Sequence, residues 1–249
     1  MNVMETLNNY YLTIMNKYPH NAIVGVFLYG SQNYNLDHAD SDVDALAILT
    51  PSWEDILMCR TPIATTVDEH IKVRDVRLAL RDLDTPHLAN IEWLFTDYYI
   101  LGPMFEDHVI KLRKERELIA AAHRQSGVDS MIMMAINIAR DATKKLAAGE
   151  VQAARRIAAR LYFIDSYLEE YSSGGSVATA MRKANRDTYF YIRALSPSAL
   201  EDFIPQAVKA IEAYQAIHNT NTDAALSTIN ATRRSIVKFA LGDNGYGKA

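Results

Sequence analysis

Residues 27–49 read FLYGSQNYNLDHADSDVDALAIL, and the rest of the chain is organised around them. An apolar run from Ile23 to Tyr29 ends in Gly30-Ser31. A polar loop follows, and Asp42-Val43-Asp44 then opens a second apolar run from Ala45 to Leu49. Two such runs bracketing a Gly-Ser turn and an Asp-x-Asp pair predict a strand–turn–strand element with chemistry at one end. Side chains alternate along a strand, so Asp42 and Asp44 are expected on one face. Two carboxylates held that close repel unless a cation sits between them, and oxygen-only ligation suits Mg²⁺. Gly30 allows a ligand close to the backbone, and Ser31 offers a hydroxyl and an N–H to a phosphate oxygen. The element reads as a phosphate-and-metal site.

Gly-Ser, ten residues and then Asp-x-Asp resembles the signature of the DNA polymerase beta-like nucleotidyltransferase superfamily. More narrowly, YGSQNYNL (29–36) followed by DSDVD (40–44) is similar to bacterial and phage predicted nucleotidyltransferases. IEWLF (91–95) and TDYYI (96–100) extend that likeness over residues 25–101. Either motif alone is weak; in this order and spacing, on strand-like flanks, they outweigh an acidic hairpin that merely solvates a sheet edge. Asn35 stands where the narrower family has Gly, and Asn is the next most tolerant residue for a left-handed backbone.

The resemblance implies two Mg²⁺ ions, held by three carboxylates, that align a hydroxyl with the α-phosphate of a nucleoside triphosphate while pyrophosphate departs. Asp42 and Asp44 match the first two carboxylates. The third belongs on a later strand, here Glu69 to Asp75. If Ile71 and Val73 face the core, then His70, Lys72 and Arg74 face the site, and no carboxylate is in phase. The expected catalytic set is Asp42, Asp44 and Glu69, with Asp68 and Asp75 the other nearby suppliers. Alternatively, Lys72 marks a lost second metal, and the protein binds nucleotide without turning it over. Ser41 reads as a turn cap, and His70 as a packing group or a base.

At 249 residues the chain can hold two modest domains, and 49% hydrophobic with 22% charged residues predicts a packed protein. The single cysteine, Cys59, excludes an internal disulfide and suits a reducing cytosol. No signal peptide and no membrane span are expected, and the localisation read is cytoplasmic. Seven histidines and one cysteine show no zinc spacing. Residues 1–110 carry 6 Lys+Arg against 16 Asp+Glu, whereas 111–160 carry 11 against 5. The basic segment is placed to face a metal-bound triphosphate, although solvated helix faces account for each residue equally well. Arg156 and Arg160, four apart on one predicted helix, are the candidate phosphate clamps; Lys144, Lys145 and Arg155 lie near them.

Taken in order, the pattern predicts a helix over 2–17, strands over 22–29 and 45–49, and a short helix to about Met58. A strand over 66–74, helical spacing over 75–83, a helix over 86–95 and a β-rich segment over 96–101 follow. Helical periodicity marks 104–123, 129–148, 150–171, 197–218 and 222–241, with a shorter helix or two between 175 and 196. A turn at 219–222 and a loose tail at 242–249 close the chain. The fold class expected is α+β: a mixed sheet with helices on one side (1–102), then an all-helical domain (103–249). The function implied is transfer of a nucleoside monophosphate to a hydroxyl on a small molecule, a protein or an RNA end. The alternative is a catalytically impaired nucleotide-binding regulator, or a toxin–antitoxin or phage-defence component. ATP, GTP, CTP and UTP are not distinguished, and an oligomer is left open. A polymerase is disfavoured by the short, acidic chain and the lack of a template-binding extension.

Overall fold

The computed structural model describes residues 2–38, 41–215 and 222–238. It is an α+β protein: a five-stranded mixed sheet near the N-terminus followed by a helical region. Helix α1 (Val3–Lys17) is capped by the Asn2 side chain, which accepts from the Met4 and Glu5 N–H groups, and it buries Leu7 and Ile14. Then come β1 (Ile23–Tyr29), β2 (Asp44–Leu49), α2 (Trp53–Leu57), β3 (Ala64–Val67) and β4 (Ile71–Asp75). Helices α3 (Val76–Arg81) and α4 (Leu88–Phe95) and strand β5 (Tyr99–Leu101) complete this part.

The sheet order is β3-β4-β2-β1-β5, with β2 and β4 parallel and every other pair antiparallel. Both faces are covered along most of β1 and β2, which is why these strands are apolar almost throughout rather than alternating. On one face α1 packs over Leu28, Ala45, Ala47, Ile71 and Val73. On the other, α4 sets Trp93 edge-on against Phe27, ring centroids 5.2 Å apart. Helices therefore lie on both faces, not on one.

The strand expected over 66–74 is broken. Asp68 and Glu69 adopt φ of 54° and 52°, and the chain reverses there so that β3 runs back along β4. Neither residue is Gly or Pro, and only Asp68 is of a type that tolerates this conformation, so the residue pattern marks the reversal weakly. Asn35, by contrast, holds the left-handed conformation expected of it, φ 57°.

The helix expected over 104–123 is two, α5 (Glu106–Lys114) and α6 (Arg116–Ala122), separated at Glu115. The rest of the chain comprises α7 (Arg124–Ala147), α8 (Val151–Ser172), α9 (Val177–Met181), α10 (Arg186–Ile192), α11 (Pro197–Ile211) and α12 (Thr222–Lys238). Of the turn expected at 219–222, residues 219–221 lie outside the described residues, as does the tail expected at 242–249, and Thr222 is the first residue of α12.

The chain forms two compact units, divided differently from 1–102 and 103–249. The first contains residues up to 33, 37–122 and the returning helix α12; the second contains 34–36 and 123–220. In the first, Arg113 donates to the carbonyls of Trp93 and Thr96, and Arg233 of α12 donates to the Leu80 carbonyl and pairs with Asp84. In the second, α7 and α8 form a helical hairpin closed by Gly149 (φ 75°), and Ala135, Ala142, Ala154 and Ala158 are among their small buried side chains. Tyr34 stacks on Phe163 there, ring centroids 4.5 Å apart.

Candidate functional site

The sheet register decides which side chains meet. Tyr29 pairs with Asp44, Leu46 with Lys72, and Lys72 with Thr66, so Tyr29, Asp44, Lys72 and Thr66 share the face opposite α1. In β4, Ile71 and Val73 are buried while Lys72 is exposed and Arg74 half-buried, the alternation expected. The helices on this face stop short of its β3–β4 side. The gap is a pocket of about 520 Å³ lined by Tyr29, Thr66, Lys72, Arg74, His87 and Trp93, among others.

Gly30 ends β1 with φ 93°, a conformation only Gly adopts without strain, and a Cβ there would stand 3.3 Å from Asp44 Oδ2. Gly30 therefore brings the turn directly against the Asp44 carboxylate. The turn is held from below. Glu92, fully buried on α4, accepts the Gly30 N–H at 2.6 Å and the Asn33 amide at 2.7 Å. Asn33 also donates to the Leu28 carbonyl and accepts from the Thr96 hydroxyl. Ser31 opens a single 3₁₀ turn, Ser31–Tyr34, and is half-buried.

Asp42 is exposed just before β2, and Val43, between the two aspartates, is buried. The Tyr10 hydroxyl donates to the Val43 carbonyl at 3.0 Å. Burial pushes the Tyr10 phenol above its ordinary value, and the charges of Asp44, Asp68 and Asp42, in that order, push it further. His70 Nδ1 lies 3.4 Å from Asp44 Oδ1, a long contact set by the parallel pairing in which the Ala45 N–H donates to the His70 carbonyl.

The third carboxylate is the point of departure. Glu69 occupies the β3–β4 turn and is exposed. Asp75 is 1% exposed and committed elsewhere: it caps α3 through the Arg77 N–H at 2.8 Å and takes the Arg77 guanidinium at 2.9 and 2.6 Å. Lys72 lies over the Tyr29 ring, 3.9 Å from its centroid. Among the described residues, no three His, Cys, Asp or Glu side chains form a metal site. A pair of ions needs three carboxylates at one point, and the described residues do not fit that. A single ion needs only Asp42 and Asp44, with solvent completing its shell.

Arg156 and Arg160 belong to the second unit, where both are exposed on α8. Their neighbours have local work: Arg155 donates to the Leu195 carbonyl at 2.7 Å, and Lys145 pairs with Glu150 at 2.8 Å. Sequence reasoning missed Tyr10, Tyr29, Asn33, Glu92 and His87. Only Glu92 had a signal, a lone carboxylate inside the apolar IEWLF run, which burial forces to find donors. Among the described residues, no helix is long and apolar enough to cross a membrane.

No family model and no curated protein matches the chain. Among solved structures it is similar to a nucleotidyltransferase-like protein from Exiguobacterium sibiricum, at 13% identity over 95% of this chain and 80% of that one, with a TM-score of 0.34. A likeness that loose carries no argument, so the reading rests on the residues.

Proposed function

We propose that the Gly30–Asp44 end of the sheet binds a nucleoside triphosphate and transfers its monophosphate to a hydroxyl group. The observation that carries this reading is the closeness of Gly30 to Asp44, which leaves room for phosphate oxygens where any other residue would place a side chain. The buried Glu92 fixes the turn before a ligand arrives, so ordering it costs little on binding. A single divalent cation on Asp42 and Asp44, when bound, supplies positive charge to the phosphates. In the tautomer that donates from Nδ1 to Asp44, His70 presents Nε2 to take the acceptor's proton. The acceptor oxygen bonds to the α-phosphorus, the bond to the bridging oxygen breaks, and pyrophosphate leaves.

One observation favours a second reading. Lys72 stands in the phase where the resemblance calls for a carboxylate, as suits a regulator that holds nucleotide without turning it over. Incubation with Mg²⁺ and each α-labelled triphosphate, with and without cell extract, separates the two. Label appearing on a small molecule, protein or RNA supports transfer. Saturable binding without labelled product supports the regulator, and neither result contradicts both.

A further inference from the structure

We infer that the pocket beside Lys72 and Arg74 holds the acceptor, and that this acceptor is an anion: a small hydroxyl compound bearing a phosphate or carboxylate group. The inference rests on the nucleotidyl-transfer reading, which requires an acceptor next to Asp44. Tyr29 lines this pocket, is the sheet partner of Asp44 and directly precedes Gly30, so the pocket opens beside the proposed reaction centre. Its volume of about 520 Å³ suits a small metabolite, and Trp93 supplies an apolar wall for the body of the ligand.

Charge and unmet hydrogen bonding name the chemistry. Lys72 and Arg74 line the pocket against one carboxylate, Asp82, and that carboxylate is shared between Arg74 and Arg81. Two buried polar atoms here have no hydrogen-bond partner, Arg74 Nε and His87 Nδ1. A buried guanidinium N–H without an acceptor costs free energy that a ligand oxygen returns. Burial, and then the charge of Arg74, hold His87 below its ordinary value, so it meets the ligand as a neutral imidazole. An anion with several oxygens accepts from the Arg74 Nε–H and reaches His87 Nδ1 together, and a charge-assisted bond to the guanidinium favours it over a neutral sugar.

The test uses Trp93 as reporter, in a Trp53→Phe background that removes the other of the two tryptophans. Ribose 5-phosphate, inorganic phosphate, gluconate and neutral ribose are titrated against its fluorescence. Saturable binding of an anion, weakened about tenfold by Lys72→Gln or Arg74→Gln and retained in Asp44→Asn, supports the inference. Ribose 5-phosphate against gluconate decides between phosphate and carboxylate. Lys72 is exposed, so its variant remains informative if loss of the Arg74–Asp82 pair disturbs folding. Binding of ribose as tight as that of the anions, insensitivity to Lys72→Gln, or no saturable response overturns the inference. Pyrophosphate release is read separately. Release without anion binding overturns the acceptor assignment alone, whereas its absence with every triphosphate, with or without cell extract, overturns the transfer reading and the acceptor role with it.

Discussion

Glu92 Oε1 accepts the Gly30 N–H at 2.6 Å from a fully buried position, so a carboxylate on α4 sets the turn that abuts Asp44. Glu92→Ala leaves the Gly30 and Asn33 donors without this acceptor inside the protein. At about 1–3 kcal/mol for each of the two unmet donors, the expected loss is about 2–6 kcal/mol. Thermal denaturation should show a fall of at least about 4 °C, at about 2–4 °C per kcal/mol for a chain of this size. A change within about 1 °C would show that the network does not hold the turn.

Gly30→Ala forces a side chain into φ 93° and sets its Cβ 3.3 Å from Asp44 Oδ2. The backbone strain alone costs about 1–2 kcal/mol. The larger effect expected is on triphosphate binding, weakened at least about tenfold because the added methyl fills the space assigned to phosphate. Calorimetric titration measures it, and wild-type affinity in the folded variant would remove Gly30 from the site.

Much of this core was legible in the chain. The apolar runs ending at Tyr29 and Leu49, the period-two burial of Ile71 and Val73, and the helix ahead of β1 all follow from alternation and spacing, which depend on local residues alone. The turn at Asp68-Glu69 was not legible, because Glu69, next to the more tolerant Asp68, took a left-handed conformation that favours Gly, Asn or Asp. The expected role of Glu69 rested on an unbroken strand there. Periodicity also revealed α12 as a helix but not its partners, since a helical stripe names no neighbour; Arg233 shows them to be the Leu80 carbonyl and Asp84. Asp75 looked like a candidate ligand because its commitment to Arg77 depends on where β4 ends.

That commitment is testable. Asp75→Ala removes a helix cap and a buried partner for Arg77, with an expected cost of about 2–4 kcal/mol. Triphosphate affinity of the folded variant should stay within about twofold of wild type, a difference under 1 kcal/mol. A loss of affinity without a loss of stability would return Asp75 to the site.

His87 makes stability depend on pH. Burial and Arg74 hold its folded-state value below 6.5, so the unfolded chain takes up a proton first as pH falls. Stability therefore declines as pH drops below about 6.5, where the unfolded state binds more protons. His87→Gln should flatten part of the fall in melting temperature between about pH 7 and 5. An equally steep fall in the variant would mean that His87 titrates alike in both states.

If Asp42 and Asp44 carry nucleotidyl transfer, as proposed, pyrophosphate release depends on both. Wild-type protein with Mg²⁺, a triphosphate and cell extract is compared with the Asp42→Asn, Asp44→Asn double variant. Both aspartates are outside the hydrophobic core, so the variant should fold and melt as wild type does. Release by wild type and at least about a hundredfold less by the variant is the predicted result, on the scale of about 3 kcal/mol of lost transition-state stabilisation. Release at the wild-type rate by the double variant would contradict it.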